Sequence, residues 1–238
     1  MKFGIIVFPG SSGEGDCFHV LKNLFNQDVD YIWHKDSTVN MERYSCIILP
    51  GGASYGDYIR PGSIAGNSPI IEKLRIFADN GGLVLGICNG FQILLESGLL
   101  PGALIQNEDL KFKCQHTFIR AENTKTPFTS SCIEKQTIRV AMAHGYGRYY
   151  APENIISELK KNGQIIFRYC DKDGNINKET NPNGSEEDIA GITNKQGNIL
   201  GLMVHPERSC EEILGSSQGK IIFDSILRHI EGVIQNDM

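Results

Sequence analysis

The sequence lacks any apolar run that approaches the roughly 20 residues needed to cross a bilayer. It also lacks a charged segment and cleavage region at its start, because the apolar run Phe3–Phe8 follows almost at once. No G-x-x-x-x-G-K-[ST] loop occurs, so no phosphate-binding loop of that type is available for ATP. We therefore predict a chain with no membrane segment, no signal peptide and no ATP site of this kind.

Closely spaced cysteine pairs are absent as well. The seven cysteines are scattered, without a single C-x-x-C spacing, which favours reduced thiols over a disulfide framework or a zinc knuckle. No basic run offsets the formal net charge of −5, and this argues against nucleic acid as a partner. These features predict a cytoplasmic protein.

Strand-like and helix-like segments alternate along the 238 residues. This order predicts an α/β fold with a mostly parallel central sheet and helices on both faces, in one domain that spans 1–238. The strand-rich segments from Cys114 to Ala143 and from Gln164 to Tyr169 predict added antiparallel strands. Further strands are predicted at Phe3–Phe8, Val29–Trp33, Cys46–Leu49 and Leu83–Gly86, and helices at Cys17–Phe25, Ser68–Asp79, Phe91–Glu96 and Ser217–Ile234.

One cysteine is flanked by glycines between an apolar strand and an apolar helix, in the stretch Gly86–Gly90. Cys88 thus falls in a strand-to-helix turn, where small residues two before and two after it prevent collisions as the chain reverses. The positive end of the helix dipole favours the thiolate there. The pattern predicts a nucleophile at Cys88, although a buried structural cysteine fits so short a motif about as well.

A histidine and an acid follow another apolar strand, Asn198–Val204. In extended chain, residues two apart point the same way, so His205 and Glu207 can face one site while Pro206 fixes the local backbone. His205 would then take the proton from Cys88, and Glu207 would hold the imidazole in the useful tautomer. Alone, this H-x-E could be a surface pair, but together with the cysteine turn it predicts a catalytic triad.

The same three side chains are also competent zinc ligands. Structural zinc sites generally have closely spaced ligand pairs, which this chain lacks. The glycines around Cys88 would also have no purpose in a metal site. We therefore predict that the chain holds no metal and no cofactor.

The motifs resemble those of the class I, or triad, glutamine amidotransferases, and they are similar to the glutaminase subunits of phosphoribosylformylglycinamidine synthase. The resemblance covers essentially the whole chain. Tyr146 stands where the family usually has Glu, Val204 where it usually has Pro, and the loop Ser11–Asp16 also departs from the usual form. The motifs that carry the resemblance are Phe8–Ser11, Leu49–Tyr58, Cys88–Gln92, Ala143–Gly145, Gly147–Tyr150, Asn181–Ser185 and His205–Arg208.

The resemblance implies a flavodoxin-like amidotransferase domain and a set of substrate-side residues. Attack on a carboxamide creates an oxyanion, and the amides of Gly52 and Asn89 are the predicted donors to it. Gln92 lies one helical turn after the cysteine, and in this family that position helps to hold substrate glutamine. His144, after the strand Thr137–Ala143, is either a further substrate contact or a histidine whose hydrogen bonds are satisfied within the fold.

The implied activity is hydrolysis of L-glutamine through a cysteine thioester. The ammonia would pass to an ATP- and Mg-dependent synthetase subunit that makes formylglycinamidine ribonucleotide, with a small accessory subunit in the complex. The polar segment Asp171–Asp188, which includes the Asn181–Ser185 motif, has only one aliphatic residue. It is typical of a solvated loop, and the resemblance implies that it contacts the synthetase.

Two alternatives remain open at the level of sequence. One is a hydrolase of similar fold that uses the same Cys-His-Glu residues without a partner. The other is a non-catalytic scaffold subunit that keeps the amidotransferase fold. The first predicts turnover by the isolated chain, and the second predicts that Cys88→Ser changes nothing.

Overall fold

The computed structural model describes residues 1–236. Within this range, the strands are β1 (Lys2–Val7), β2 (Asp28–Trp33), β3 (Cys46–Leu49), β4 (Leu83–Ile87), β5 (Ala103–Ile105), β6 (Lys113–Ala121), β7 (Thr137–His144), β8 (Arg148–Tyr150), β9 (Ile165–Cys170), β10 (Ile189–Thr193) and β11 (Ile199–Leu202). The α-helices are α1 (Glu14–Phe18), α2 (Ile70–Asp79), α3 (Asn89–Glu96), α4 (Glu153–Lys161) and α5 (Lys220–Asn236).

Nine of these strands in the described range form one sheet, in the order β2-β1-β3-β4-β11-β10-β9-β6-β7. The first five are parallel, and they have the 2-1-3-4-5 order of a flavodoxin-like sheet. Every residue of β3 and β4 is buried, as expected for strands covered on both faces. The predicted α/β class is confirmed.

The remaining strands extend this sheet with antiparallel pairs, as the strand-rich segments predicted. A separate two-stranded sheet joins β5 and β8. That small sheet, β10 and α4 were not predicted. The five residues of β10 are all buried, but their apolar run is short and is interrupted by Gly191, so its periodicity is weak.

The helices differ in detail from the predicted ranges. The segment predicted as one helix over Cys17–Phe25 starts earlier, as α1, and continues as a π-helix over His19–Leu24. The amide of Phe25 accordingly donates to the carbonyl of Val20, five residues back, a spacing that apolar periodicity does not reveal. Within residues 1–236, no helix is both long and apolar enough to cross a membrane.

The carboxyl ends of four parallel strands bring the predicted site residues to one edge of the sheet. The loop after β1 pairs with the loop after β3, since the amides of Ser12 and Gly13 donate to the Gly51 carbonyl at 3.1 and 3.0 Å. In return, the amide of Ala53 donates to the Gly10 carbonyl at 2.9 Å. Cys88 directly follows β4, and two residues separate His205 from the end of β11, so ligands would bind at the edge expected for an open α/β sheet.

Candidate active site

Cys88 occupies a sharp turn between β4 and α3, with the left-handed backbone angle φ +51°. The flanking glycines make this turn possible. A Cβ on Gly90 would stand 2.0 Å from the Leu49 carbonyl oxygen, and one on Gly86 would stand 2.4 Å from Cδ1 of Leu94. The G-x-C-x-G spacing is therefore required by close packing, and it presents the thiol at the amino end of a helix.

His205 and Glu207 form a buried pair, with Nδ1 of His205 2.5 Å from Oε1 of Glu207. The route by which they meet differs from the predicted extended strand. Residues Pro206–Arg208 form a 3-10 turn, and Pro206 at its first position favours such a turn. The turn, and not strand alternation, therefore carries the carboxylate back to the imidazole.

The second nitrogen of His205 and the second oxygen of Glu207 are buried, and neither has a hydrogen-bond partner among the described residues. Since Glu207 holds Nδ1, Nε2 of His205 is the nitrogen left to exchange a proton with Cys88 or substrate. Arg208 lies beside the pair, with Nε 3.9 Å from Oε1 of Glu207 and 2.9 Å from Oδ2 of Asp16.

The charges around His205 favour its imidazolium form. Burial alone would lower the pKa of His205, but the Glu207 carboxylate and the Cys88 sulfur together raise it above its ordinary value, to about 10. An imidazole that takes up and holds a proton beside a thiol is what general acid–base chemistry at a cysteine requires. The arrangement is suited to nucleophilic attack by Cys88.

Gly51 and Gly52 follow β3 and pack closely beside the active site. A Cβ on Gly51 would stand 2.9 Å from Cε1 of His205 and 3.6 Å from Cβ of Cys88. Gly52 has φ +142°, and a Cβ there would stand 2.7 Å from both the Gly10 carbonyl oxygen and the Ser12 nitrogen. Only glycine fits either position, and the Gly52 residue lines the cavity next to Cys88.

Asn89 and Gln92 hold the site together through their side chains. Asn89 is the first residue of α3, so its amide has no acceptor in a preceding helical turn and is free for the predicted oxyanion role. Its side-chain oxygen accepts from the amide of Ser54 at 3.1 Å, and its Nδ2 donates to Oε1 of Gln92 at 2.8 Å. Gln92 lines the cavity as predicted, but its Nε2 donates to the Tyr146 carbonyl at 2.7 Å.

His144 lies on the wall of the cavity, and its ring is buried and neutral. Burial, followed by the charge of His205, lowers the pKa of His144 to about 4. Its Nε2 lies 3.1 Å from Nδ2 of Asn183, and a Cβ on Gly147 would stand 2.2 Å from the ring. The ring also lines the cavity, and its Nδ1 is buried without a hydrogen-bond partner among the described residues. Both interpretations of His144, substrate contact and structural histidine, therefore stay predictions.

The Asn181–Ser185 motif supports the segment that contains His144 and Gly147 from inside the protein. Asn183 and Ser185 are buried, and Nδ2 of Asn183 donates to the Gly147 carbonyl at 2.7 Å. The Ser185 hydroxyl accepts from the amide of Tyr149 at 3.0 Å. These two side chains are thus used within the chain, and contact of the motif with the synthetase stays a prediction.

These residues surround a cavity of about 560 Å³. Sequence reasoning did not single out two charged residues on its wall, Asp57 and Arg208. Both lie within motifs that were quoted, and the available signal was a charged residue in the segments that follow β3 and β11. The lining residues are Gly10, Ser12, Gly52, Ala53, Asp57, Pro61, Cys88, Gln92, Phe112, Ala143, His144, Gly145, Tyr146, His205 and Arg208.

The chain is similar to known proteins along nearly its full length. The model of the CobB/CobQ-like glutamine amidotransferase domain matches residues 1–221. The phosphoribosylformylglycinamidine synthase subunit PurQ of Moorella thermoacetica is 53% identical over 227 residues, which cover 95% of each chain. The PurQ subunit of Alkaliphilus metalliredigens is 48% identical over 237 residues, which cover 100% of each.

Solved structures agree with this likeness. A chain of PurLQS from Thermotoga maritima matches with a TM-score of 0.84 and 40% identity, over 96% of this chain and 98% of that one. A glutamine amidotransferase from the same organism, 14% identical with a TM-score of 0.57, covers 97% of this chain and 92% of its own and shares the fold. The chain therefore belongs to the CobB/CobQ-like glutamine amidotransferase family, in the group that contains the PurQ subunits of phosphoribosylformylglycinamidine synthase.

Proposed function

We propose that this chain hydrolyses L-glutamine to glutamate and ammonia through a thioester on Cys88. The observation that carries the proposal is that Cys88 and His205 line the same cavity. Nδ1 of the buried His205 lies 2.5 Å from Oε1 of Glu207. A thiol at a helix amino end, a histidine and an orienting carboxylate are the parts that nucleophilic acyl transfer requires.

The proposed reaction has two halves. His205 accepts the thiol proton, and the sulfur of Cys88 attacks the side-chain carbonyl carbon, while the amides of Gly52 and Asn89 stabilise the oxyanion. The C–N bond then breaks, and His205 returns the proton to the leaving nitrogen, which departs as ammonia. A water, deprotonated by His205, attacks the thioester carbonyl, and the C–S bond breaks to give glutamate and the free thiol.

We further propose that a synthetase subunit receives the ammonia. The PurQ relatives named above are subunits of phosphoribosylformylglycinamidine synthase, and a further similar chain was solved in PurLQS. Ammonia is protonated in water, so its delivery favours a partner that covers the cavity mouth. Two large side chains that line the cavity are also exposed, Phe112 and Tyr146, and they support such a partner.

In this proposal the synthetase uses ATP and Mg to convert formylglycinamide ribonucleotide to the amidine, and a small accessory subunit completes the complex. The chain itself needs no cofactor for hydrolysis, because the proposed chemistry uses only its own side chains and amides. We place it in the cytoplasm. Its seven cysteines, all within the described residues, are free thiols, which supports a reducing compartment.

The test is ammonia release from L-glutamine by the full chain, alone and with the synthetase, the accessory subunit, ATP and formylglycinamide ribonucleotide. Cys88→Ser should abolish release, and Cys114→Ser is the matched control because Cys114 is an exposed thiol outside the site. Stimulation by the complete mixture supports a coupled glutaminase. Full activity without a partner would support a stand-alone hydrolase, and release that does not depend on Cys88 would overturn the proposal.

A further inference from the structure

Asp57 places a carboxylate on the wall of the cavity that holds Cys88. Among the described residues, no lysine, arginine or histidine forms an ion pair with it within 4.0 Å, although the chain forms such pairs at many other carboxylates. A partly buried acid without a cation is costly unless something else compensates its charge. Asp57 is therefore available to a cationic group that enters the cavity.

The backbone that holds Asp57 is strained. Tyr55, Gly56 and Asp57 have φ angles of +53°, +68° and +56°, and non-glycine residues adopt this left-handed region uncommonly. Asn89 supports the segment, since its Oδ1 accepts from the amide of Ser54 and its Nδ2 lies 3.5 Å from Oδ1 of Asp57. Such strain persists where the surrounding structure enforces it, and it concentrates at functional sites.

The surroundings of the carboxylate also favour a cationic ligand. Burial raises the pKa of Asp57 above its ordinary value, because the charged form has lost part of its hydration. A cation bound beside the carboxylate would restore the lost stabilisation. Arg208 lines the same cavity but is paired with Asp16, whereas the carboxylate of Asp57 has no such partner and suits the ammonium group of an amino acid.

We propose that Asp57 is a specificity-determining residue that binds the α-ammonium group of the substrate. This inference rests on the proposed function, since it takes L-glutamine as the substrate. It adds that the site selects a free amino acid and discriminates against carboxamides without an α-ammonium, such as glutaramate or glutamine that is acylated on its α-nitrogen.

The experiment measures equilibrium binding of L-glutamine and of glutaramate, which is glutamine without its α-amino group. The full chain carries Cys88→Ser to prevent turnover, with the synthetase present. Asp57→Asn keeps the shape and the acceptor for Asn89, and Asn tolerates left-handed backbone. Asp79→Asn is the matched control, because Asp79 is an exposed carboxylate at the end of α2 and does not line the cavity.

Asp57→Asn should weaken L-glutamine binding by about 10- to 100-fold, the range expected for a lost bond to a charged group. Glutaramate binding should change by less than about twofold, and Asp79→Asn should change neither. Equal loss for both ligands, or no loss for either, would overturn the assignment of Asp57. The proposed function is tested separately: selective binding together with no ammonia release by the unmodified chain would refute hydrolysis and leave the Asp57 assignment standing.

Discussion

The α-carbon of Gly51 lies directly against the imidazole of His205. A Cβ on Gly51 would stand 2.9 Å from Cε1 and 3.5 Å from Nδ1 of that ring. The ring cannot move aside freely, because it is buried and its Nδ1 is bonded to Glu207. The lack of a side chain at residue 51 thus sets the position of the imidazole beside Cys88.

Gly51→Ala should therefore lower kcat/KM for glutamine hydrolysis by about 100-fold, since a misplacement on the order of 1 Å can have that effect. Ammonia release measures the activity, and thermal unfolding checks that the fold is retained. Gly232→Ala is the control, because a Cβ on Gly232 would meet no atom within 4 Å. Activity within about threefold of the original would show that the ring is not held as described.

Glu207→Gln should reduce kcat by about 10³-fold without unfolding the protein, because the amide cannot stabilise the imidazolium as the carboxylate does. The same substitution removes the principal charge that raises the pKa of His205. Its imidazole signals in an NMR titration should then report a lower pKa than in the original chain, since burial remains and opposes the charged form. Glu153→Gln, on an exposed position of α4, serves as the control. Unchanged kinetics would show that another group orients His205.

The stability of the original chain and that of the Glu207→Gln variant should depend differently on pH. The folded pKa of His205 is raised to about 10, whereas an unfolded histidine titrates near about 6.5. Its contribution to stability is therefore complete below about pH 6.5 and is lost as the pH rises through about 10. The difference in unfolding free energy between the original chain and Glu207→Gln should shrink over this window in urea titrations. A difference that grows with pH would contradict the raised pKa.

Asn183→Ala should lower the free energy of unfolding by about 1–3 kcal/mol, because it removes the donor to the His144 ring and leaves the buried Gly147 carbonyl only a longer contact with the Ser185 hydroxyl. Denaturant unfolding measures the change. Asn154→Ala removes the same side chain from an exposed position of α4 and should change stability by less than about 0.5 kcal/mol. Equal effects of the two substitutions would rule out the supporting role of Asn183.

An electrophilic glutamine analogue should modify Cys88 and none of the other cysteines. Burial raises the pKa of Cys17, Cys46 and Cys210, so these thiols remain protonated and unreactive. Cys114 is exposed and provides the internal control, because it should react with a simple alkylating reagent but not with the analogue. Peptide mass mapping distinguishes the sites, and label spread over several cysteines would contradict the special reactivity of Cys88.

The sequence predicted much of the site because its members directly follow apolar strands. Strand β3 was predicted with its exact bounds, and β1, β2 and β4 within one or two residues. Cys88 and His205 could be placed at one edge because the carboxyl ends of parallel strands meet there. What local pattern could not provide was the turn at Pro206 that brings Glu207 to the imidazole.

Contacts between distant segments escaped prediction for a physical reason. Asn183 and His144 are 39 residues apart, and no periodicity links a polar loop to the histidine that it supports. The composition of Asp171–Asp188 indicated solvent exposure, although two of its side chains are buried through hydrogen bonds. Similarly, the strain at Asp57 depends on its φ angle, which a sequence with only one nearby glycine does not specify.

The central claim is that Cys88 forms a covalent bond to the γ-carbonyl of glutamine, and acid-quenched mass spectrometry during turnover tests it most directly. The account predicts that the chain gains one γ-glutamyl group, located on the peptide that contains Cys88, and that Cys88→Ser gains none. Continued ammonia release with no adduct on Cys88 and with the serine variant fully active would contradict the account.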